Sequence, residues 1–337
     1  MKRLKKMLSY TRDHDSEGER LFVKQFIMPY KPTVFNDPLG EALALVIDVA
    51  DKNNVVPPVL WSCHVDTVHA ATAPTRQTVI YDKEGGMMYK QDGLPLGADD
   101  GAGVWLLLNM IDAKVPGVYI FHRGEECGGI GSRGMVAHHT PFLEQFKYAI
   151  AFDRKGETSI ITEQMNGVCC SATFALGLAK ALNDTNPLLA YVPDSTGLFT
   201  DTANYRRIIP ECTNVSVGYA NEHSADELLD VWHLEALRDA VIEAFQEGTG
   251  ILPVKRDHTA ADVSTRLWSG FGATTYNEFT DVNPQDAMDV VNMSFKDLVA
   301  WVRMTDPDVV ADFLYALSEE IVYQPQDRQE ASNEQYN

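Results

Sequence analysis

The sequence predicts an α/β protein: a three-layer α/β/α sandwich around a mostly parallel central sheet, followed by a helical C-terminal extension. Three observations carry this expectation. From about residue 30 to 165, short apolar runs of strand type alternate with stretches of helical periodicity, the pattern of a parallel sheet with helices on both faces. The chain has 337 residues and 45% hydrophobic content, enough for one large α/β domain and an appendage. Acid and imidazole residues gather at the ends of the apolar runs or in the loops beside them, where an open α/β sheet collects its functional groups.

Residues 1–30 read as two helical pieces, the second opened by Ser16-Glu17-Gly18-Glu19 with capping-box spacing before an amphipathic stretch over 20–27. Residues 42–47 and 55–62 read as strands, 103–111 as a helix, and 118–121 and 148–152 as strands. A helix over 171–182, a strand over 212–217 and a long helix over 226–245 follow. Ser224 is its expected N-cap and Glu227 the partner in a capping box. Glu247-Gly248-Thr249-Gly250 and Pro253 break the pattern, which sets a catalytic domain at 1–250. Residues 251–323 are expected to form the helical extension, with helices over 284–303 and 306–322. The polar composition of 324–337 suits a disordered tail.

The formal charge of −20, from 48 acidic and 28 basic residues, argues against a sequence-independent nucleic-acid binder and against an anionic membrane as partner. Bound divalent cations would offset part of that charge. The five cysteines show no CxxC pair and no small-domain disulfide spacing, so a reducing compartment is the simpler expectation. Ser9-Tyr10-Thr11-Arg12-Asp13 is too polar to continue a signal peptide, and no run approaches the ~18 apolar residues of a membrane span. The expectation is a cytoplasmic protein.

Five clusters carry the candidate chemistry. His64-Val65-Asp66 ends a strand, and an i, i+2 pair there can place a histidine beside a carboxylate that orients it. Asp99-Asp100 precedes an apolar helix, a position that also suits an N-cap and a first-turn acid. Glu125-Glu126 lies in a glycine-rich loop, where one carboxylate could hold an ion and its neighbour take a proton from water. Asp153 ends a strand before Arg154-Lys155-Gly156, and His223 lies in a polar loop before the long helix. Each has a bland local alternative as a turn, cap or solvated surface. All five falling at strand ends or adjoining loops favours one site.

This combination resembles the co-catalytic zinc exopeptidases, the superfamily of metallo-aminopeptidases, carboxypeptidases and peptidase T-like tripeptidases. The matching stretches are His64-Val65-Asp66, Gly97-Ala98-Asp99-Asp100, Glu125-Glu126, Phe152-Asp153-Arg154-Lys155-Gly156, and His223-Ser224 with Glu227, spaced by 35, 27, 27 and 70 residues between the leading ligands. The resemblance covers roughly residues 5–245. It implies two zinc ions per chain, with cobalt or manganese as substitutes, one on His64, Asp99 and Asp153 and the other on Asp99, Glu126 and His223. It further implies that Asp66 orients His64 and that Glu125 activates a water bridging the two ions. The short intervals imply no inserted lid domain, as in lidless aminopeptidases, to which Thr200-Asp201 before Ile209-Pro210 is also similar. Tyr205 or Tyr219 would then replace a partner-supplied histidine.

The expected function is therefore that of a metal-dependent exopeptidase on small peptides, of aminopeptidase or di- or tripeptidase type, compatible with a homo-oligomer. The same machinery could cleave N-acyl amino acids, because a metal pair sees only a polarised carbonyl. A non-catalytic binding protein would be expected to have lost a ligand or the base, and none is missing. Gly129-Ile130-Gly131-Ser132-Arg133-Gly134 matches a dinucleotide fingerprint, but six residues separate it from the preceding strand where that fingerprint wants a tight turn.

Overall fold

The computed structural model describes residues 1–91, 93–165, 167–247 and 252–256. The chain divides into two units, Met1–Val263 and Ser264–Asn337, and the described residues belong to the first. The helices expected over 284–303 and 306–322, the tail at 324–337 and nearly all of the 251–323 extension lie outside the described residues.

The N-terminal segment forms α1 (Lys2–Leu8) and α2 (Glu17–Phe26). Ser16 caps α2 by accepting from the Glu19 N–H, while the Glu19 carboxylate reaches back to the N–H of Asp15 instead of Ser16. Strands β1 (Thr33–Asn36) and β2 (Ala42–Val49) pair antiparallel, and β3 (Val59–His64) follows. The expected start at residue 55 moves to Val59 because Pro57 and Pro58 have no N–H to give a ladder. Next come β4 (Ile80–Asp82), β5 (Met87–Tyr89), α3 (Ala98–Asp112), β6 (Gly117–His122), α4 (Ile130–Leu143) and β7 (Tyr148–Arg154).

The remainder contains β8 (Ser159–Ile161), the two-residue β9 (Glu163–Gln164) and β10 (Gly167–Val168), α5 (Ala172–Thr185), β11 (Val192–Asp194), α6 (Asp201–Tyr205), β12 (Glu211–Ser216), β13 (Tyr219–Ala220), β14 (Leu228–Asp230) and α7 (Val231–Phe245). The long helix expected from residue 226 therefore begins five residues late. Residues 228–230 pair with β5 as a strand, and Asp230 is the cap, its carboxylate accepting from His233 N at 2.9 Å. The Ser224–Glu227 box does not cap this helix.

The main sheet has eight strands in the order β1-β2-β6-β3-β7-β12-β8-β11. Its centre, β6-β3-β7-β12, is parallel, and antiparallel pairs sit toward the edges. All six residues of β3 and of β6 are buried, as expected for strands covered on both faces. Alternate side chains feed two core layers. Leu45, Trp61, Tyr119 and Ile150 pack with α1, α3, α5 and α7 on one face, and Ala44, Leu60, Ile120 and Ala149 pack with α4 and α6 on the other. This is the three-layer sandwich that the alternation predicts. Each fully buried Leu, Ile, Val or Phe contributes about 1.5–3 kcal/mol.

The intervals 65–98 and 154–222 stay within the same compact unit, so no lid domain is inserted in them. They build a second, four-stranded sheet, β13-β14-β5-β4, and the β8 and β11 edge of the main sheet. The glycines of the 129–134 run are used in packing α4 on the sheet. A Cβ at Gly131 would lie 2.4 Å from the Leu43 carbonyl oxygen, and one at Gly134 would lie 2.3 Å from the Leu43 side chain.

Candidate functional site

The chain leaves β3, forms α3 and adds β6 on one side, then crosses by α4 to place β7 on the other side of β3. Because these strands are parallel, their C-terminal ends share one edge, and the reversal of direction at β3 opens a crevice there. His64, the Glu125-Glu126 loop and Asp153 leave from that edge, and the loop after β13 brings in His223.

His64 is buried at the end of β3. Its Nε2 lies 3.1 Å from Asp99 Oδ1 and 3.4 Å from Asp153 Oδ1. Its Nδ1 lies 3.1 Å from the backbone oxygen of Asp66, a contact that fixes Nδ1–H as donor and leaves the Nε2 lone pair for a cation. The second oxygen of Asp99 lies 3.1 Å from His223 Nε2, which is itself 2.9 Å from Glu126 Oε1. Within each of the sets His64–Asp99–Asp153 and Asp99–Glu126–His223, one ligand atom per residue lies within 4.8 Å of the others. Asp99 is common to both and turns one oxygen to each histidine. His64, Glu125 and Glu126 form a third such group.

The sequence neighbours divide the work. Asp100 is fully buried; its Oδ2 accepts from His64 N at 3.2 Å, and its Oδ1 caps the regular part of α3 through Gly103 N at 2.9 Å. The Asp99–Asp100 peptide is cis. The Asp66 carboxylate comes no nearer than 3.7 Å to His64 Nδ1. It accepts instead the N–H groups of Gly124, Glu125 and Glu126 at 2.8, 3.2 and 3.1 Å. Asp66 thus orients His64 with its carbonyl and anchors the paired acids with its carboxylate.

Several further residues support the site, and of these only Arg12 carries no sequence signal. Thr200 donates its hydroxyl to Asp153 Oδ2 at 2.7 Å, and the Tyr219 hydroxyl lies 3.0 Å from the Asp153 carbonyl oxygen and 3.2 Å from Oδ1. Buried Glu227 accepts from Gly97, Ala98 and Asp99 N–H at 2.9, 2.7 and 3.0 Å, capping α3 from 128 or more residues away. Arg12 is buried behind the site and donates to the carbonyls of Val65 and Gly97, both at 2.8 Å. Of the two tyrosines, Tyr219 lines the cleft. Tyr205 is fully buried and bonded to His122 at 2.5 Å, away from it.

The charge balance of the site is short of cations. Burial pushes Glu125 well above the usual carboxylate range, against the pull of His64 and with Glu126 adding to the rise. Burial first and the Asp99 charge second raise Glu126 to about 7 and Asp153 to about 6. Burial opposes a charge on His64, but the Asp153 charge and the nearby carboxylates of Asp153, Asp66 and Asp99 outweigh it and raise its pKa well above the usual value. Hydrogen bonds to Asp99 and Glu126 raise His223 to about 10. Two imidazoles therefore hold protons where a metal site would hold cations.

The residues fit divalent ions. Ligands ~2.0–2.1 Å from a tetrahedral ion lie roughly 3.3 Å apart, and the 2.9–3.4 Å separations between histidine and carboxylate atoms bracket that value. Glu126 Oε1 is buried and has no well-formed hydrogen bond beyond its 2.9 Å approach to His223 Nε2, so a cation that displaced the imidazole proton would find lone pairs of both atoms facing a shared space. Two imidazoles and three carboxylates without thiolate suit zinc, cobalt or manganese. Asp99, Glu125, Asp153 and His223 face an open cleft walled by Ile161, Leu198 and Phe199.

No protein-family profile and no curated protein matches the sequence. The fold is shared with solved peptidases. Aminopeptidase PepT from Bacillus cereus superposes with a TM-score of 0.54 at 15% identity over 73% of this chain and 97% of that one. A tripeptidase from Staphylococcus aureus gives 0.59 at 14% identity over 72% and 96%. A TET aminopeptidase from a marine sediment Thaumarchaeota archaeon gives 0.51 at 12% identity over 73% and 96%. At these identities the likeness establishes the fold alone, one shared with aminopeptidases and a tripeptidase.

Proposed function

We propose that this protein is a metal-dependent exopeptidase that hydrolyses a terminal peptide bond of small peptides, with Glu125 as general base. The observation that carries the proposal is the position of Asp99, one oxygen beside His64 and the other beside His223, in the cleft that Glu125 also lines. His64, Asp99 and Asp153 would hold one zinc ion and Asp99, Glu126 and His223 the other, with cobalt or manganese able to substitute. Bound there, the ions would polarise the scissile carbonyl and make the attacking water more acidic.

The rest is the work of the chain. Glu125 takes the proton of the attacking water and returns it to the leaving amine, a task suited to a carboxylate whose proton affinity burial has raised. Asp66 is a positioning residue, since its carboxylate fixes the backbone from which Glu125 projects. Thr200 and Tyr219 hold Asp153, and Glu227 and Arg12 hold the backbone at Asp99. The fold shared with aminopeptidases and a tripeptidase supports this reading.

The proposal places the catalytic domain at 1–250 and the protein in the cytoplasm, and it is compatible with a homo-oligomer. All five cysteines are free, which suits a reducing compartment, and no helix among the described residues is long and apolar enough to cross a membrane. N-acyl amino acids are the second substrate class, favoured by the charge of the cleft wall described below. The test is hydrolysis of di- and tripeptides by zinc-reconstituted protein before and after chelation. Cleavage lost on chelation and restored by zinc is expected, and cleavage indifferent to chelation would overturn the proposal.

A further inference from the structure

We propose that Arg154 binds a free carboxylate on the substrate, so that the cleft selects short peptides or N-acyl amino acids with an unblocked C-terminus. The inference rests on the hydrolytic reading above and deepens it. It starts from the acids of the cleft wall. Asp99 and Asp153 belong to the ligand sets, Glu125 is the base, and Glu222 Oε1 is 2.7 Å from Lys155 Nζ. No acid lining the cleft is left uncommitted to grip the ammonium of a peptide N-terminus.

The opposite holds for cations. Lys155 is neutralised by Glu222, but Arg154, which also lines the cleft, has no carboxylate within 4.0 Å among the described residues. Asp194 feels its charge, which helps to hold that carboxyl below the usual range, but the two make no ion pair. Its Nη2 donates to the Thr196 carbonyl at 3.1 Å and to Thr196 Oγ1 at 3.2 Å. Thr196 is in turn fixed by Asp194 Oδ1, which accepts from the threonine N–H at 2.8 Å and from its hydroxyl at 2.7 Å.

A guanidinium has five N–H donors in a rigid fork. Thr196 engages one nitrogen and sets the plane, which leaves Nε and Nη1 for a ligand. Nε–H and the Nη1–H groups lie on opposite edges of the fork, so a carboxylate takes one of them in a charge-assisted hydrogen bond. Arg154 follows Asp153 directly on β7, and in a dipeptide or N-acyl amino acid the C-terminal carboxylate is carried by the Cα bonded to the scissile nitrogen. Leu198, 71% exposed, and Phe199 add an apolar wall beside these groups, which suits an apolar side chain on the same residue.

The test uses the full chain. On the zinc-reconstituted wild type, leucyl-leucine and N-acetyl-leucine should be cleaved with kcat/KM roughly 10- to 100-fold above leucyl-leucinamide and N-acetyl-leucinamide, and Arg154→Gln should abolish that preference. Arg154→Lys, which keeps the charge but loses the fork, should retain part of it. Which of the two acids is the better substrate separates a peptide from an N-acyl amino acid. Calorimetric binding of N-acetyl-leucine against its amide to Glu125→Gln protein reads the same preference without turnover. Equal binding of acid and amide, binding of neither, or a preference that survives Arg154→Gln overturns the inference. An acid preference lost in Arg154→Gln without cleavage of any panel member leaves the carboxylate site standing and removes the hydrolase reading. Cleavage without acid preference does the reverse.

Discussion

The Glu227 carboxylate accepts the backbone N–H of Asp99 at 3.0 Å, although the two residues lie 128 positions apart. With its bonds to Gly97 and Ala98 it satisfies three of the free donors at the start of α3. Glu227 follows His223 by four residues, so one side chain ties the loop bearing that histidine to the backbone that presents Asp99. Glu227→Ala leaves these donors buried without partners. The expected loss is about 2–5 kcal/mol in urea unfolding of the metal-free protein, together with weaker zinc binding. An unchanged unfolding midpoint would show that the cap is dispensable.

Asp66 plays the matching part for the paired acids. Asp66→Asn keeps an acceptor but turns an NH₂ group toward one of the three backbone N–H donors of 124–126. A roughly 10- to 100-fold fall in kcat is expected, with zinc content little changed. Full activity in this variant would detach Asp66 from the placement of Glu125.

Glu125→Ala should lower kcat by at least ~10²-fold while the protein still binds its zinc. Paired turnover and metal analyses on one preparation decide this. Most of the activity surviving would assign the proton transfer to another group.

The metal-free protein should lose stability as pH rises. Glu126 is raised from 4.5 to about 7 by burial and the Asp99 charge, and Glu227 from 4.5 to about 7 by burial. Each binds more protons folded than unfolded between these values, so stability is full near pH 4.5 and declines toward pH 7. His223, raised from 6.5 to about 10 by Asp99 and Glu126, extends the decline to about pH 10. Zinc binding displaces these protons, so zinc affinity should rise over the same range. Thermal melts with and without zinc at pH 5, 7 and 9 read both trends, and a metal-free form that stabilises with pH would contradict them.

The sandwich was legible because its signal is local. Val59–His64, Gly117–His122 and Tyr148–Arg154 are apolar runs whose alternate residues feed two layers, and their parallel order follows from α3 and α4 between them. The site was legible where chemistry sits at a strand end, as at His64 and Asp153. What failed was pairing at a distance. Ser224 and Glu227 have capping-box spacing, yet Glu227 caps α3 across space, and residues 228–230 join a strand whose partner is β5. Arg12 lies in a polar stretch with no motif, and only the fold places its guanidinium against the Val65 and Gly97 carbonyls.

The most direct measurement is zinc per chain by elemental analysis of zinc-reconstituted wild-type and Asp99→Ala protein after removal of free metal. A carboxylate shared by His64 and His223 predicts about two ions in the wild type and loss of both together in the variant. A wild type that holds no metal, or an Asp99→Ala protein that still holds two ions, would contradict the shared site.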